Sequence, residues 1–340
     1  MFFASFIAYI GKPLEKISRE VKALLTGKRY NRIIPTTIDE IGIFTHFFNE
    51  ITLNLEKVST DLKEGKRMSS ELDIASQIQN DVLPKEAPEI NGLDIVAKTR
   101  SAAEVGGDCF DFMQKNKNFY VYIGDVTGHG VPAGLVMIMV DTLMHAWSQI
   151  AKNAEEILIQ INKFLNQRMS SQRFMTLLML RWNELEQKMY YTGAGHEHLL
   201  LYKSQTATVE AIRSGGIALR MIPDISSIVK EKEVDMQKGD VIVLYTDGIT
   251  EAKNKNDEMY GLARFKESLK KHGGINSTEK IFDALTKDFS NFVGEYMQKD
   301  DITMIVIKNT GKEDDRHHIK LTINADEERT FQKSKVWDWE

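Results

Sequence analysis

The chain has 340 residues, 42% hydrophobic and 27% charged, an ordinary globular mixture long enough for two or three domains. Its net charge of −5, from 44 basic and 49 acidic residues, excludes bulk electrostatic capture of nucleic acid. One cysteine, Cys109, excludes an internal disulfide framework and fits a reducing compartment.

The first ten residues, Met1 to Ile10, are apolar but only about half as long as a bilayer span requires. They lack the basic start and small-residue cleavage site of a signal peptide. Two readings stand: the end of a core helix, or the cytoplasmic end of a transmembrane helix, and the helices that follow favour the second. From Pro13, the residues Leu14, Ile17, Val21 and Leu24 step 3, 4, 3, a coiled-coil seam. Thr26-Gly27 ends that helix, and a connector runs through Ile33, Ile34 and Pro35. A second seam uses Ile41, Phe44, Phe48, Ile51, Leu55, Val58 and Leu62. Such a run needs a bundle or oligomeric partner, or else one helix packed on its own domain.

With Pro13 at its start and Asp39-Glu40-Ile41-Gly42 opening the second helix, this arrangement resembles a HAMP domain. The resemblance implies a parallel four-helix homodimer over residues 11–62. It also implies membrane attachment through a segment N-terminal to Pro13, with 1–10 the end of a transmembrane helix. The rest of the chain would then lie at the cytoplasmic face of a bacterial cell membrane. Residues 63–90 read as a dimeric linker helix whose register weakens at Gly65-Lys66, where glycine costs about 1 kcal/mol of helix propensity. That break is either a switch between two packings or the point where the helix leaves the dimer axis. Pro84 and Pro88 close the segment.

From Asn91 to Asn309 the spacing predicts strands at Leu93–Thr99, Asp108–Met113 and Phe119–Val126, then a buried helix over Pro132–Gln149 and an amphipathic one over Glu155–Arg168. Strands follow at 174–182, 188–192, 198–202, 208–212, 228–234 and 241–245. Helices at 262–272 and 278–292 precede a last strand at 302–307. Strand runs broken by paired helices argue for an α+β fold with antiparallel sheets. No glycine fingerprint opens a helix after the first strand, so Rossmann and P-loop nucleotide chemistry is disfavoured. Beyond Asn309, residues 310–340 read as a polar tail with one candidate strand, Ile319–Ile323, the expected start of a further module.

Carboxylates recur where these strands begin or end: Asp108, Asp125, Asp247 and the pair Asp300-Asp301. Any one of them can be a turn or cap residue. Together they are costly, because clustered carboxylates repel and resist desolvation. A divalent cation removes that cost, and hard oxygen donors select Mg²⁺ or Mn²⁺.

Five segments carry a specific resemblance: Glu104 to Phe112 (EVGGDCFDF), Ile123 to Ala133 (IGDVTGHGVPA), Thr192 to His196 (TGAGH), Tyr245 to Ala252 (YTDGITEA) and Asp300 to Thr303 (DDIT). In order and spacing they resemble the SpoIIE/RsbU branch of the PPM metal-dependent phosphatases, over residues 91–309. The run Ala75 to Gln79 (ASQIQ), ending at Leu83-Pro84, resembles the helix that enters such domains. The resemblance implies an αββα sandwich with two Mn²⁺ or Mg²⁺ ions. It implies Asp108, Asp125, Asp247 and Asp300 as catalytic metal ligands, with Asp125 bridging and the Val126 carbonyl assisting. It implies hydrolysis of phosphoserine or phosphothreonine by a metal-activated water, without a covalent intermediate. The implied substrate is a phosphorylated STAS-type anti-sigma-factor antagonist in a partner-switching pathway, under control of the dimeric helices.

His129 and His196 either move protons or hold structure, and Asp111 and Asp301 fit supporting positions. Cys109 replaces the family's more usual aromatic and reads as a buried thiol. The loop Asn254–Tyr260 stands beside the fourth segment, where it could shape substrate access. The competing reading is a degenerate phosphatase fold that only binds a partner. A nucleotide cyclase, suggested by Gly106-Gly107-Asp108, is excluded because Cys109-Phe110 follows where Glu-Phe is needed.

Overall fold

The structure is a computed structural model that describes residues 12–25, 33–34, 40–84, 90–169, 173–311 and 320–321. Met1–Ile10, Asp39, Pro88 and most of the tail lie outside them. The chain divides into two compact units, Met1–Glu71 and Leu72–Glu340.

In the first unit, helix α1 spans Lys12–Leu25 and helix α2 begins at Glu40. The side chains of both seams lie outside the described residues, except Ile51, which is 42% exposed. Ile43 and Phe47 on the same helix are also exposed. The connector is tied down by Asn49, whose carboxamide accepts from the Ile33 N–H (3.1 Å) and donates to the Ile33 carbonyl (2.7 Å). Helix α2 continues unbroken through Gly65 to Val82, so the expected second helix and linker are one element.

The second unit is the four-layer sandwich. Strands β1 (Leu93–Arg100), β2 (Cys109–Lys115) and β3 (Asn118–Val126) lead into α3 (Val131–Ile150) and α4 (Ala154–Arg168). Then come β4 (Met175–Asn183), β5 (Lys188–Ala194), β6 (Leu199–Lys203), β7 (Thr208–Ile212), β8 (Lys232–Val234) and β9 (Val241–Tyr245). Short helix α5 (Asp247–Thr250), α6 (Gly261–His272) and α7 (Thr278–Val293) precede β10 (Ile302–Asn309) and β11 (Lys320–Leu321). One sheet has the order β11-β1-β10-β9-β6-β7 and the other β2-β3-β4-β5-β8. All pairings are antiparallel except β1 with β11.

Period-two alternation on these strands feeds two faces at once. On β2, Phe110 and Phe112 enter the core between the sheets, while Cys109 and Met113 enter the core under α3 and α4. A third core packs α6 and α7 on the other sheet through Phe265, Leu269, Phe282 and Leu285. Each fully buried side chain of this size contributes about 1.5–3 kcal/mol. The helices start where their caps dictate. Asn153 accepts from the Glu156 N–H and Ser277 from the Lys280 N–H.

One predicted strand is shorter than expected. Ile228–Val234 pairs only over Lys232–Val234, because residues 225–229 close a turn through the Ile228 and Val229 N–H groups onto the Ile225 carbonyl. Burial of Val229 gave that turn the look of a strand. Among the described residues, one helix, Val131–Ile150, is long and apolar enough to cross a membrane, but it packs into the core beneath it.

Candidate functional site

Antiparallel pairing carries the sequence-selected carboxylates to one end of the sandwich. In one sheet Cys109 pairs with Gly124, so Asp108, just before β2, and Asp125, near the end of β3, share an edge. In the other sheet Tyr245 pairs with Met304, so Asp247 after β9 and Asp300-Asp301 before β10 share an edge. The two edges are stitched together by Asp108. Its Oδ2 accepts from Thr246 Oγ1 and from Thr303 Oγ1, each at 2.7 Å. Thr246 and Thr303 also pair through backbone, with the Thr246 N–H on the Thr303 carbonyl at 3.1 Å.

The electrostatics show four acids facing one another. Burial, then the neighbouring Asp125 and Asp301 charges, pushes the buried Asp108 carboxyl well above its ordinary range. Burial, then Asp247, Asp300, Asp301 and Glu251, pushes Asp125 up to about 7. Burial, then Asp300, Glu251 and Glu197, pushes Asp247 up to about 6. Asp300 is exposed at the rim. The charged neighbours that shift these three are all acidic, so among the described residues they add to the negative charge of the cluster. This donor set, oxygen-only and electron-rich, fits hard divalent cations. Val126 lies beside it, buried, with its N–H on the Gly107 carbonyl at 3.3 Å.

A pH prediction follows for the metal-free protein. Asp125 and Asp247 hold protons more tightly folded than unfolded, so the native state binds more protons than the unfolded chain between about pH 4 and 7. Stability of the chelator-treated protein therefore falls as pH rises through that window. Thermal unfolding with chelator should give a higher melting temperature at pH 5 than at pH 8, and added Mn²⁺ should restore stability at pH 8.

The adjacent acids Asp300 and Asp301 divide their work. Asp301 is buried and spends both oxygens on backbone: Oδ1 accepts from the Ala102 N–H (2.7 Å) and Oδ2 from the Gly107 (2.6 Å) and Asp108 (3.4 Å) N–H groups. It shapes the loop before β2. Asp300 Oδ1 accepts only from the Asp301 N–H (2.9 Å) among the hydrogen bonds found.

Asp111 turns away from this edge toward α3. It pairs with His145 Nε2 and accepts from the Phe112 N–H (2.6 Å), while neighbouring Asp141 accepts from Tyr122 Oη. Ligand atoms of Asp111, Asp141 and His145 lie within 4.8 Å of one another, a second polar group under the helices. Cys109 is buried nearby, and burial pushes its thiol up, away from reactivity.

His196 is held by Thr176 Oγ1 at Nδ1 (2.8 Å) and by the Tyr245 carbonyl at Nε2 (3.1 Å), so it links β4 of one sheet to β9 of the other. Enclosure pushes its pKa down to about 4, which keeps it neutral and suits structure rather than proton transfer. His129 is exposed in the turn after Asp125. The Asn254–Tyr260 loop closes on itself through the Asn254 N–H to the Glu258 carbonyl (3.0 Å), with Tyr260 buried beneath it.

Sequence reasoning missed Thr246 and Thr303. Both stand inside quoted segments, but only the pairing of β9 with β10 shows them meeting at Asp108.

Comparison with known proteins gives the family and the fold. The family model Stage II sporulation protein E (SpoIIE) matches residues 115–310. The chain is 27% identical over 245 residues to phosphoserine phosphatase RsbU of Bacillus subtilis (strain 168), covering 72% of this chain and 71% of RsbU. In fold it is similar to the SiaA-PP2C domain of Pseudomonas aeruginosa, with a TM-score of 0.62, 22% identity and coverage of 72% of this chain and 98% of that one. It is also similar to the RsbU and RsbW domains of Rv1364c from Mycobacterium tuberculosis, with a TM-score of 0.57, 24% identity and coverage of 68% and 64%. The expected α+β sandwich of two antiparallel sheets between helices is thus the fold of this chain, which belongs to the SpoIIE family and carries a PPM-type phosphatase domain.

Proposed function

We propose that this protein is a metal-dependent phosphatase that hydrolyses phosphoserine or phosphothreonine on a protein partner. One observation carries the reading: buried Asp108, half-buried Asp125 and Asp247, and Asp300 at the rim converge from both sheets, and the first three carboxyls are each pushed up by burial and by acidic neighbours. In this reading Asp108, Asp125, Asp247 and Asp300, with the Val126 carbonyl, hold two Mn²⁺ or Mg²⁺ ions. Such ions supply an activated water and neutralise charge on the phosphoryl oxygens. The chain's own part is to hold those oxygens fixed: Thr246 and Thr303 fix Asp108, and Asp301 fixes the loop that carries it. His196, neutral and fully engaged, keeps the two sheets in register beside Asp247 rather than moving a proton.

The likeness to RsbU, a named phosphoserine phosphatase, supports a phosphoserine substrate. The most economical partner is a phosphorylated STAS-type antagonist in a partner-switching pathway. A homodimer through the HAMP-like and linker helices, at the cytoplasmic face of the membrane, would supply control. The test incubates the full chain with a phosphoserine-bearing STAS-domain protein. Phosphate release is expected with Mn²⁺ or Mg²⁺ and none with chelator. Tight Mn²⁺ binding without any phosphate release would leave a partner-binding module instead.

A further inference from the structure

The last turns of helix α2 belong to the second unit, and one side chain there enters the site's scaffold. Gln79 is buried, 4% exposed, on a helix end whose neighbours Gln77, Ile78 and Asp81 are exposed. Its Nε2 donates to the Gly106 carbonyl at 2.8 Å, and its Oε1 accepts from the Gly106 N–H at 3.0 Å. The carboxamide thus pairs with Gly106 as one peptide group pairs with another across an antiparallel bridge. Two residues on, Asp108 presents its carboxylate.

The surroundings leave little freedom. A Cβ on Gly134, in the first turns of α3, would lie 2.3 Å from Val105 Cγ1, 3.3 Å from the Gly106 oxygen and 3.6 Å from Gln79 Nε2. Helix end, loop and α3 therefore meet at van der Waals distance around this amide pair. The helix end is itself anchored, since Leu83 is buried in the core under α3 and donates its N–H to the Gln79 carbonyl at 3.2 Å. Asp301 holds the same loop at Ala102 and Gly107. Among the described contacts on this loop, Gln79 is the one supplied by the entering helix.

We propose that Gln79 is a positioning residue that couples the end of α2 to the placement of Asp108. Rotation or axial shift of that helix end breaks the amide pair and frees Gly106, and the carboxylate two residues on loses its fixed direction. This inference rests on the reading of Asp108 as a metal ligand. Leucine has similar volume but neither donor nor acceptor, so Gln79→Leu leaves both Gly106 groups unpaired in a buried place. Glutamate keeps the acceptor, loses the donor to the Gly106 carbonyl and adds charge beside acids.

The experiment uses the full chain and two readouts. Hydrogen exchange over residues 101–108 of the chelator-treated protein should speed up at least roughly tenfold in Gln79→Leu, the cost of two unmade buried hydrogen bonds. Calorimetric titration should show Mn²⁺ affinity weakened by a similar roughly tenfold factor, with overall unfolding still cooperative. Gln79→Glu should move both readouts in the same direction, and it serves if the leucine variant does not fold. Gln77→Ala, on the exposed side of the helix, should move neither. Unchanged loop exchange and unchanged Mn²⁺ affinity in folded Gln79→Leu or Gln79→Glu overturns the proposal. If the unmodified protein binds no Mn²⁺, the metal reading fails, while the exchange measurement still decides whether Gln79 holds the loop.

Discussion

Replacing Asp125 with asparagine should abolish metal-dependent phosphate release while making the metal-free protein more stable at pH 8. The two effects have one cause. Asp125 is pushed up to about 7 by burial and by Asp247, Asp300, Asp301 and Glu251, so ionising it in the metal-free protein is unfavourable. Asparagine removes that charge at nearly constant shape, which relieves the folded state wherever the carboxylate would be ionised. The same change removes the negative oxygen that a cation would share with its neighbours. Loss of one preorganised charge-stabilising group typically costs roughly 100- to 1,000-fold in rate, and loss of a ligand should reach at least the upper end. Thermal unfolding at pH 8 should therefore give Asp125→Asn a higher melting temperature than the unmodified protein in chelator, and a smaller gain on adding Mn²⁺. An Asp125→Asn protein that gains as much from Mn²⁺ and retains phosphate release would remove Asp125 from the site.

Gly248→Ala should be nearly as damaging without touching a charge. A Cβ at that position would sit 1.9 Å from the Asp301 carbonyl oxygen and 3.0 Å from its carbon. Both are backbone atoms at the start of β10, so no side-chain rotation relieves the clash. Helix α5 must back away from β10, and Asp247, its first residue, moves with it away from Asp300. Overpacking of this kind costs about 1–3 kcal/mol. The melting temperature should drop by several degrees, and Mn²⁺ affinity should fall more than stability alone explains. A variant with unmodified melting temperature and Mn²⁺ affinity would show that α5 is free to shift.

Much of this was legible in the residues because two periodicities rarely compete here. Val241–Tyr245 is wholly apolar, ends at Thr246-Asp247-Gly248 and is the strand its composition announces. Pro132 and the all-round apolar run after it mark α3 within a residue. Ile228–Lys230 misled because an apolar residue buried by a turn reads like one buried by a strand. The convergence of Asp108, Asp125, Asp247 and Asp300 was legible as a repeated context, strand edge then carboxylate. What strand-by-strand reading cannot show is the partner of a polar side chain far along the chain. Gln79 to Gly106 spans 27 residues, and Asp108 to Thr303 spans 195. Nothing local in either sequence window distinguishes those amide and hydroxyl groups from solvent-facing ones.

The two threonine hydroxyls on Asp108 have a consequence for selectivity among ions. Both donate to Oδ2, so that oxygen is already saturated and a single oxygen, Oδ1, remains to be offered. Calcium commonly fills its large, irregular shell by clasping a carboxylate through both oxygens, whereas magnesium keeps a small octahedral shell of single contacts. If Asp108 holds a cation as proposed, Thr246 and Thr303 would limit its denticity without touching the ion.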